Sequence, residues 1–284
     1  MNKLITLAAA VVSAITSSAA TLNVPGTYAD IASALAVAQD GDIVQVAAGE
    51  YTLSTVDPLD IPAGVTLKGA GAATTTVKAY ANAVTEKVSA SLLVATNLNC
   101  VIDGITFSGA YCYSDFSMPS VLDAAQGAVI KNCVFAGNTI KDKGYLARIM
   151  NAGTTLTNCV FRNTTLTGGN NYTSGSSVYV ADAAEIMDCV FSNNFNRVNG
   201  GSGFVTLTTG AKVRRTTLAK NTLYSREKYQ GTAPLTVLST CTIDCLVEDC
   251  VLEDNAVGSD TAAGKVYQAA GGLAIMGPAT VRRR

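Results

Sequence analysis

The sequence predicts an all-β fold: a right-handed parallel β-helix solenoid with three short strands per coil and a capping helix at its N-terminal end. Three observations predict it. A ten-residue motif returns along most of the chain, as stacked structural repeats do. Within the motif, inward and outward residues alternate with the period of a strand. Charged residues make up only 14% of the 284 residues, against about 25% in an ordinary soluble domain, which leaves little surface for exposed helices.

Taken in order, the chain opens on a leader. Lys3 precedes an apolar run from Leu4 to Ile15 and the small residues Ser17, Ser18, Ala19 and Ala20. This is the pattern of a secretory signal peptide, cleaved after Ala20 or one residue earlier. The run is shorter than the ~20 residues that cross a bilayer, and no later segment is long enough, so no transmembrane segment is expected. The reading makes residues 1–20 the signal peptide and 21–284 a single β-helix domain, secreted to the extracellular space or outer cell surface. There its eight cysteines meet conditions in which disulfides form.

Thr27 to Asp30 resembles a capping box, and Ile31, Leu35 and Ala38 fall on one helical face. A helix over Tyr28 to Gln39 is therefore expected, plugging an end that is otherwise an exposed pairing edge. The first coils follow at Asp42 to Val46 and Gly64 to Gly69.

The motif is clearest as Val129-Ile130-Lys131-Asn132-Cys133-Val134-Phe135-Ala136-Gly137-Asn138. It returns from Thr155 to Phe161 and from Glu185 to Asn194, with fainter copies at Ile102 to Phe107, Val213 to Asn221 and Val247 to Asn255. Aligned on Ile105, Cys133, Cys159, Cys189, Thr216 and Cys250, the copies lie 28, 26, 30, 27 and 34 residues apart, so the variation sits in loops. A β-rich stretch precedes each motif, and in several units an apolar residue lies eight positions upstream: Val94 before Ile102, Leu122 before Ile130, Val178 before Ile186, Val205 before Val213, Leu273 before Val281. That interval makes two strands and a fixed corner. A bend then precedes the short Cys-x-Phe strand. Its second residue reads Asn132, Asn158, Asp188, Arg215 or Asp249, and Asn and Asp tolerate the left-handed conformation such a bend demands. Stacking buries the Cys column and, beside it, Phe107, Phe135, Phe161, Phe191, Leu218 and Leu252. Asn138, Asn194, Asn221 and Asn255 read as a hydrogen-bonded corner ladder.

Thr27 to Tyr51, with its Gln39-Asp40-Gly41-Asp42 turn and Ala48-Gly49-Glu50-Tyr51, resembles the opening of secreted β-helix proteins of the pectin-lyase-like superfamily. The units with Phe-x-x-Asn at Phe135 to Asn138 and Phe191 to Asn194, together with Gly271 to Ile275, resemble the repeats of bacterial polymorphic outer-membrane proteins. The shared motifs are packing and corner residues, so the resemblance bears on fold. For enzymes of the superfamily it implies a site in a groove along the first sheet.

The outward row of that sheet is expected to run through Ala95, Asp123, Arg148, Tyr179, Thr206 and Ala274. Asp123, Arg148 and Tyr179 are the catalytic candidates. In a lyase reading Arg148 is the base or carboxylate anchor for β-elimination on a uronic acid, and Asp123 its charge partner; the alternative is a surface ion pair worth about 0–1 kcal/mol. The resemblance to calcium-dependent lyases implies a carboxylate cluster, and only Asp123 stands in the row. Polygalacturonase-like hydrolases use Asp residues and a His, and the chain has no His. No metal site and no cofactor are expected. A formal charge of −1 points away from nucleic acid as a partner.

The loops after the Cys-x-Phe strand hold Tyr111, Tyr113, Tyr145, Tyr172, Tyr224, Tyr229 and Tyr267, with Lys141, Lys143, Arg226 and Lys228. As binding residues, Tyr145, Tyr172, Tyr224, Tyr229, Tyr267, Lys143 and Lys228 form a strip for a polysaccharide or a host-surface ligand. As packing residues, each Tyr holds its own loop to the rod. The stacked Cys column reads as reduced core thiols. Cys100, Cys112, Cys241 and Cys245 lie outside it, and their pairing is left open. Val281 to Arg284 aligns with Val213 to Thr216, so the chain is read as stopping where the next Cys-x-Phe strand is expected: either it is truncated at the C-terminus, the preferred reading, or the last coil is uncapped and available for end-to-end association. The leading expectation is a secreted or cell-surface β-helix that is adhesin-like or polysaccharide-binding. The alternative is a polysaccharide lyase or other carbohydrate-active enzyme acting on uronate polymers.

Overall fold

The computed structural model describes residues 18–83, 91–114, 120–142, 144–167, 177–198, 203–225, 233–259 and 272–283. Among them, every strand pairs in parallel with the equivalent strand one coil away, and the strands form four sheets of ten, eight, eight and six strands. The protein is a right-handed parallel β-helix.

One coil shows the construction. Ser120–Ala124 lies in an upstream sheet, Val129–Lys131 in the ten-stranded motif sheet, and Val134–Ala136 in a phenylalanine sheet. Thr139–Asp142 then enters a fourth, six-stranded sheet. This corrects the expected three strands per coil. The residues after the corner Asn alternate as well, and the inward ones, Ile140, Leu166 and Leu223, are buried.

The inward columns are those the motif defines. Phe107, Phe135, Phe161 and Phe191 are fully buried and in register. Their ring centroids are 5.3, 4.7 and 4.9 Å apart down the stack. Leu218 and Leu252 continue the column. Beside it Ile105, Cys133, Cys159, Cys189 and Thr216 are buried. In this structure all eight cysteines are unlinked. The bend before the phenylalanine sheet is left-handed at Asn132, Asn158, Asp188 and Asp249, with φ of 54°, 52°, 53° and 52°. Arg215 adopts φ 43° in the same place, and its guanidinium reaches back to Asp188 at 2.7 and 2.8 Å.

Two local expectations are corrected. The helix expected from Tyr28 to Gln39 is a single short turn, Ile31–Leu35, and its N-cap is Asp30, which accepts from the Ser33 amide at 2.7 Å. Asp42 ends the segment by accepting from the Gln39 and Ala20 amides at 2.9 and 2.8 Å. Those bonds, the Ala20 one first, hold its carboxyl below the usual range. The inward residue before Ile102 is Leu93, in register with Leu122, while Val94 faces outward. Five residues, Thr96 to Cys100, make that corner where four, Ala125 to Ala128, make the next, so the eight-residue interval slips by one. Among the described residues, no helix is long and apolar enough to cross a membrane.

The asparagine ladder has one broken rung. Asn194 Nδ2 donates to Asn221 Oδ1 at 2.9 Å, and Asn221 Nδ2 donates to Asn255 Oδ1 at 3.0 Å. Backbone amides of Ala110, Thr164, Asn194 and Asn221 donate to the Asn of the next coil. Thr164 stands where the Asn after Asn138 belongs, and Asn138 Nδ2 and Thr164 Oγ1 are both buried without partners. An unsatisfied buried polar group costs about 1–3 kcal/mol. Thr164→Asn is therefore expected to complete the ladder and raise stability by about 1–2 kcal/mol in denaturant unfolding; a neutral or destabilising result counts against the ladder as a source of stability.

Candidate functional site

Two outward rows carry the side chains of interest. On the upstream sheet, register places Asp60, Val94, Asp123, Arg148, Tyr179, Thr206, Thr236 and Ala274 in line. The expected row is corrected at its start. Ala95 pairs with Ala124 and is fully buried, so Val94 takes its place, and Thr236 joins the row.

Asp123, Arg148 and Tyr179 do lie on consecutive coils. The Arg148 fork meets the carboxylate with both edges engaged, Nε to Oδ1 at 3.3 Å and Nη2 to Oδ2. The Arg148 side chain is 34% exposed and that of Asp123 18%. An arginine beside a carboxylate stays cationic, because guanidinium does not deprotonate in proteins. Tyr145, expected in a loop, is instead the first residue of the strand Tyr145–Ile149. Its ring stands 5.8 Å from that of Tyr179, tilted by 48°. Burial raises both phenols above their ordinary value of 10, with Arg148 pulling Tyr145 back and Tyr145 adding to the rise at Tyr179. The cluster thus joins a neutralised charge pair to two protonated phenols.

The second row lies on the fourth sheet. Tyr113, Lys141, Thr167, Arg197, Tyr224 and Gly258 are in register over six coils. None of the six is acidic. Lys141 Nζ lies 5.8 Å from the Tyr111 ring centre, within cation–π range. Tyr224 is 37% exposed and packs 5.8 Å from Phe195. Its ring also lies over Gly258, where an added Cβ meets the ring at 2.8 Å. Glycine there lets the aromatic spread across the neighbouring strand.

The strip expected in loops is therefore partly a sheet. Tyr224 stands in this row, and Tyr145 belongs to the upstream cluster. Tyr172, Tyr229, Tyr267, Lys143 and Lys228 lie outside the described residues. Arg197 was not among the candidates, yet a signal for it exists: Tyr113, Lys141, Thr167, Arg197, Tyr224 and Gly258 are each the third residue after the ladder position at Ala110, Asn138, Thr164, Asn194, Asn221 and Asn255. Among the described residues, no group of three or more His, Cys, Asp or Glu side chains is arranged to hold a metal ion.

No family model matches the chain, and no curated protein matches it. Among solved structures it is similar to a PL6 family alginate lyase, at 12% identity and a TM-score of 0.41, over 84% of this chain and 40% of the lyase. A pectin methylesterase from carrot matches at 12% identity and a TM-score of 0.37, over 93% of this chain and 89% of the esterase. A GH87 α-1,3-glucanase catalytic unit from Streptomyces thermodiastaticus matches at 13% identity and a TM-score of 0.31, over 93% and 71% of the two chains. The chain spans about two fifths of the length of that alginate lyase.

The raised phenols give a titration test with a definite sign. A phenol whose folded value exceeds its unfolded one contributes stability below pH 10 that is lost as pH rises through the folded value. Phenolate absorbance of the folded protein is expected to retain a late alkaline component, which the double variant Tyr145→Phe, Tyr179→Phe removes. An unchanged late component overturns the assignment.

Proposed function

We propose that this chain is a secreted or cell-surface β-helix protein that binds a linear polysaccharide along its long axis, as an adhesin or glycan-binding module does. The observation that carries the proposal is the outward row of the fourth sheet. Tyr113, Lys141, Arg197 and Tyr224 share one line, with cations between aromatic residues and no acid in the row. Coils repeat at ~4.8 Å, so the row offers a periodic set of contacts to a polymer that is itself periodic. Lysine and arginine favour an anionic chain such as a polyuronate, while tyrosine faces suit the apolar faces of sugar rings. The leader-like residues 1–20 support export, and a rigid rod suits display at a surface.

A second reading, a polysaccharide lyase, rests on the Asp123, Arg148, Tyr145 and Tyr179 cluster. In that reading Arg148, positioned by Asp123, anchors a uronate carboxylate and does not serve as the base. A half-buried phenol, Tyr145 or Tyr179, is then left to handle the proton: as the acid toward the departing oxygen while protonated, or as the base once it has ionised. Binding and turnover separate the two readings.

With a panel of anionic and neutral polysaccharides, the protein is expected to bind anionic chains in a salt-sensitive way without producing unsaturated ends. The double variant Lys141→Ala, Arg197→Ala is expected to weaken binding about tenfold or more, or ~1.4 kcal/mol. Unchanged affinity in that variant overturns the site. Formation of unsaturated ends that Arg148→Ala abolishes establishes the lyase in its place.

A further inference from the structure

The corner that leads from the upstream sheet to the motif sheet has nearly constant length. Thr208 to Ala211, four residues, join Leu207 to Lys212. In the next coil the register-matched residues Val237 and Leu246 are joined by eight, Leu238 to Cys245. Four residues have been inserted, and cysteines bound the insertion.

Both cysteines occupy the place that Ala211 holds alone. The Ala211 amide closes the corner by donating to Thr208 O at 3.2 Å, and the Cys241 amide donates to Leu238 O at the same distance. Cys245, for its part, directly precedes Leu246, as Ala211 precedes Lys212 in register. Thr242, Ile243 and Asp244 between them are exposed, Ile243 by 60%. The two sulfurs are buried and 3.5 Å apart. The insertion is thus a surface loop pinched at its base by two thiols in contact.

We infer that Cys241 and Cys245 are joined by a disulfide that closes this loop when the chain folds in an oxidising compartment. One cysteine thiolate attacks a sulfur of a small disulfide such as oxidised glutathione, forming a mixed disulfide and releasing one glutathione thiolate. The second cysteine thiolate then attacks the protein sulfur of that mixed disulfide and releases the other. Two protein thiols are oxidised, and one small disulfide is reduced to two thiols. Burial pushes the Cys245 thiol up to about 12, so little thiolate exists once the coil is packed, and closure belongs to folding.

The stacked cysteines are the competitors for such chemistry. Cys133, Cys159 and Cys189 each donate to the carbonyl two residues earlier, at 3.1, 3.3 and 3.1 Å, and Cys159 also contacts the thiols of Cys133 and Cys189; Cys241 has a backbone acceptor as well, Leu207 O, at a longer 3.6 Å. The stacked sulfurs are held against the backbone within the ladder.

The test is to refold the purified protein in a mixture of oxidised and reduced glutathione, block free thiols without reduction, digest and weigh the peptides. The expected result is a peptide carrying Cys241 and Cys245 unblocked and two hydrogens lighter, with the other six cysteines blocked. Blocking of both Cys241 and Cys245, or a bond from either to another cysteine, overturns the inference. In parallel, the oxidised protein is expected to melt a few degrees above its reduced form, a difference that disappears in Cys241→Ser, Cys245→Ser. A melting difference that persists in that variant assigns the redox effect elsewhere and overturns it as well.

Discussion

The structure depends on one constraint: each strand pairs in register with its own counterpart one coil away. Every position in the repeat thereby becomes a row, and a residue must tolerate a near copy of itself at ~4.8 Å. Phenylalanine satisfies this by stacking and asparagine by chaining its amide. Charge does not, since like charges directly opposite across strands repel. Outward rows on the motif and upstream sheets answer by alternating sign. Asp103 pairs with Lys131, and Asp123 with Arg148. Arg214, Glu248 and Arg282 alternate along one row of the motif sheet, and Arg214 also reaches diagonally to Glu185 in the neighbouring row. The low charged fraction of the sequence is thus a consequence of the fold.

The exceptions to row identity show how strict the constraint is. Asn196 sits in a column with Ile140, Leu166 and Leu223 and is fully buried. Its amide donates to Ser177 Oγ at 3.0 Å, and Ser177 is itself a buried polar residue. Two polar residues in otherwise unsuitable places therefore satisfy part of each other's need, although Asn196 Oδ1 is left without a partner. Arg215 is another exception. A non-glycine residue in the left-handed region costs about 1–2 kcal/mol, more than an exposed ion pair with Asp188 returns. The bend persists there because the coils on both sides impose it.

This logic explains what was legible in the sequence. Rows that repeat a residue type, such as the Phe and Asn columns, announce themselves by recurrence. The left-handed corner was legible from Asn132, Asn158 and Asp188 because only a few residue types suit it. The fourth sheet was hidden because its outward residues, Tyr113, Lys141, Thr167, Arg197, Tyr224 and Gly258, share no chemistry. Outside the packing columns nothing requires a row to repeat, so the positions freest to carry function are also the hardest to align. Val94 was misplaced for a related reason: corner length varies by a residue, and a shift of one turns a side chain to the opposite face of the sheet.

Function in such a rod therefore has two places to reside. Corners accept insertions because a longer loop disturbs no ladder, and the Cys241 to Cys245 segment uses that freedom while keeping the sulfurs in one packing position. Outward rows accept substitution because only the backbone must stay in register. The Asp123 and Arg148 row spends its charge internally, which favours a rigid local cluster. In the fourth-sheet row, Lys141 and Arg197 stand two coils apart with Thr167 between them and no acid in line. A line of cations attracts a ligand that carries negative charge at similar spacing, and the proposed linear anionic polymer does so over several coils at once.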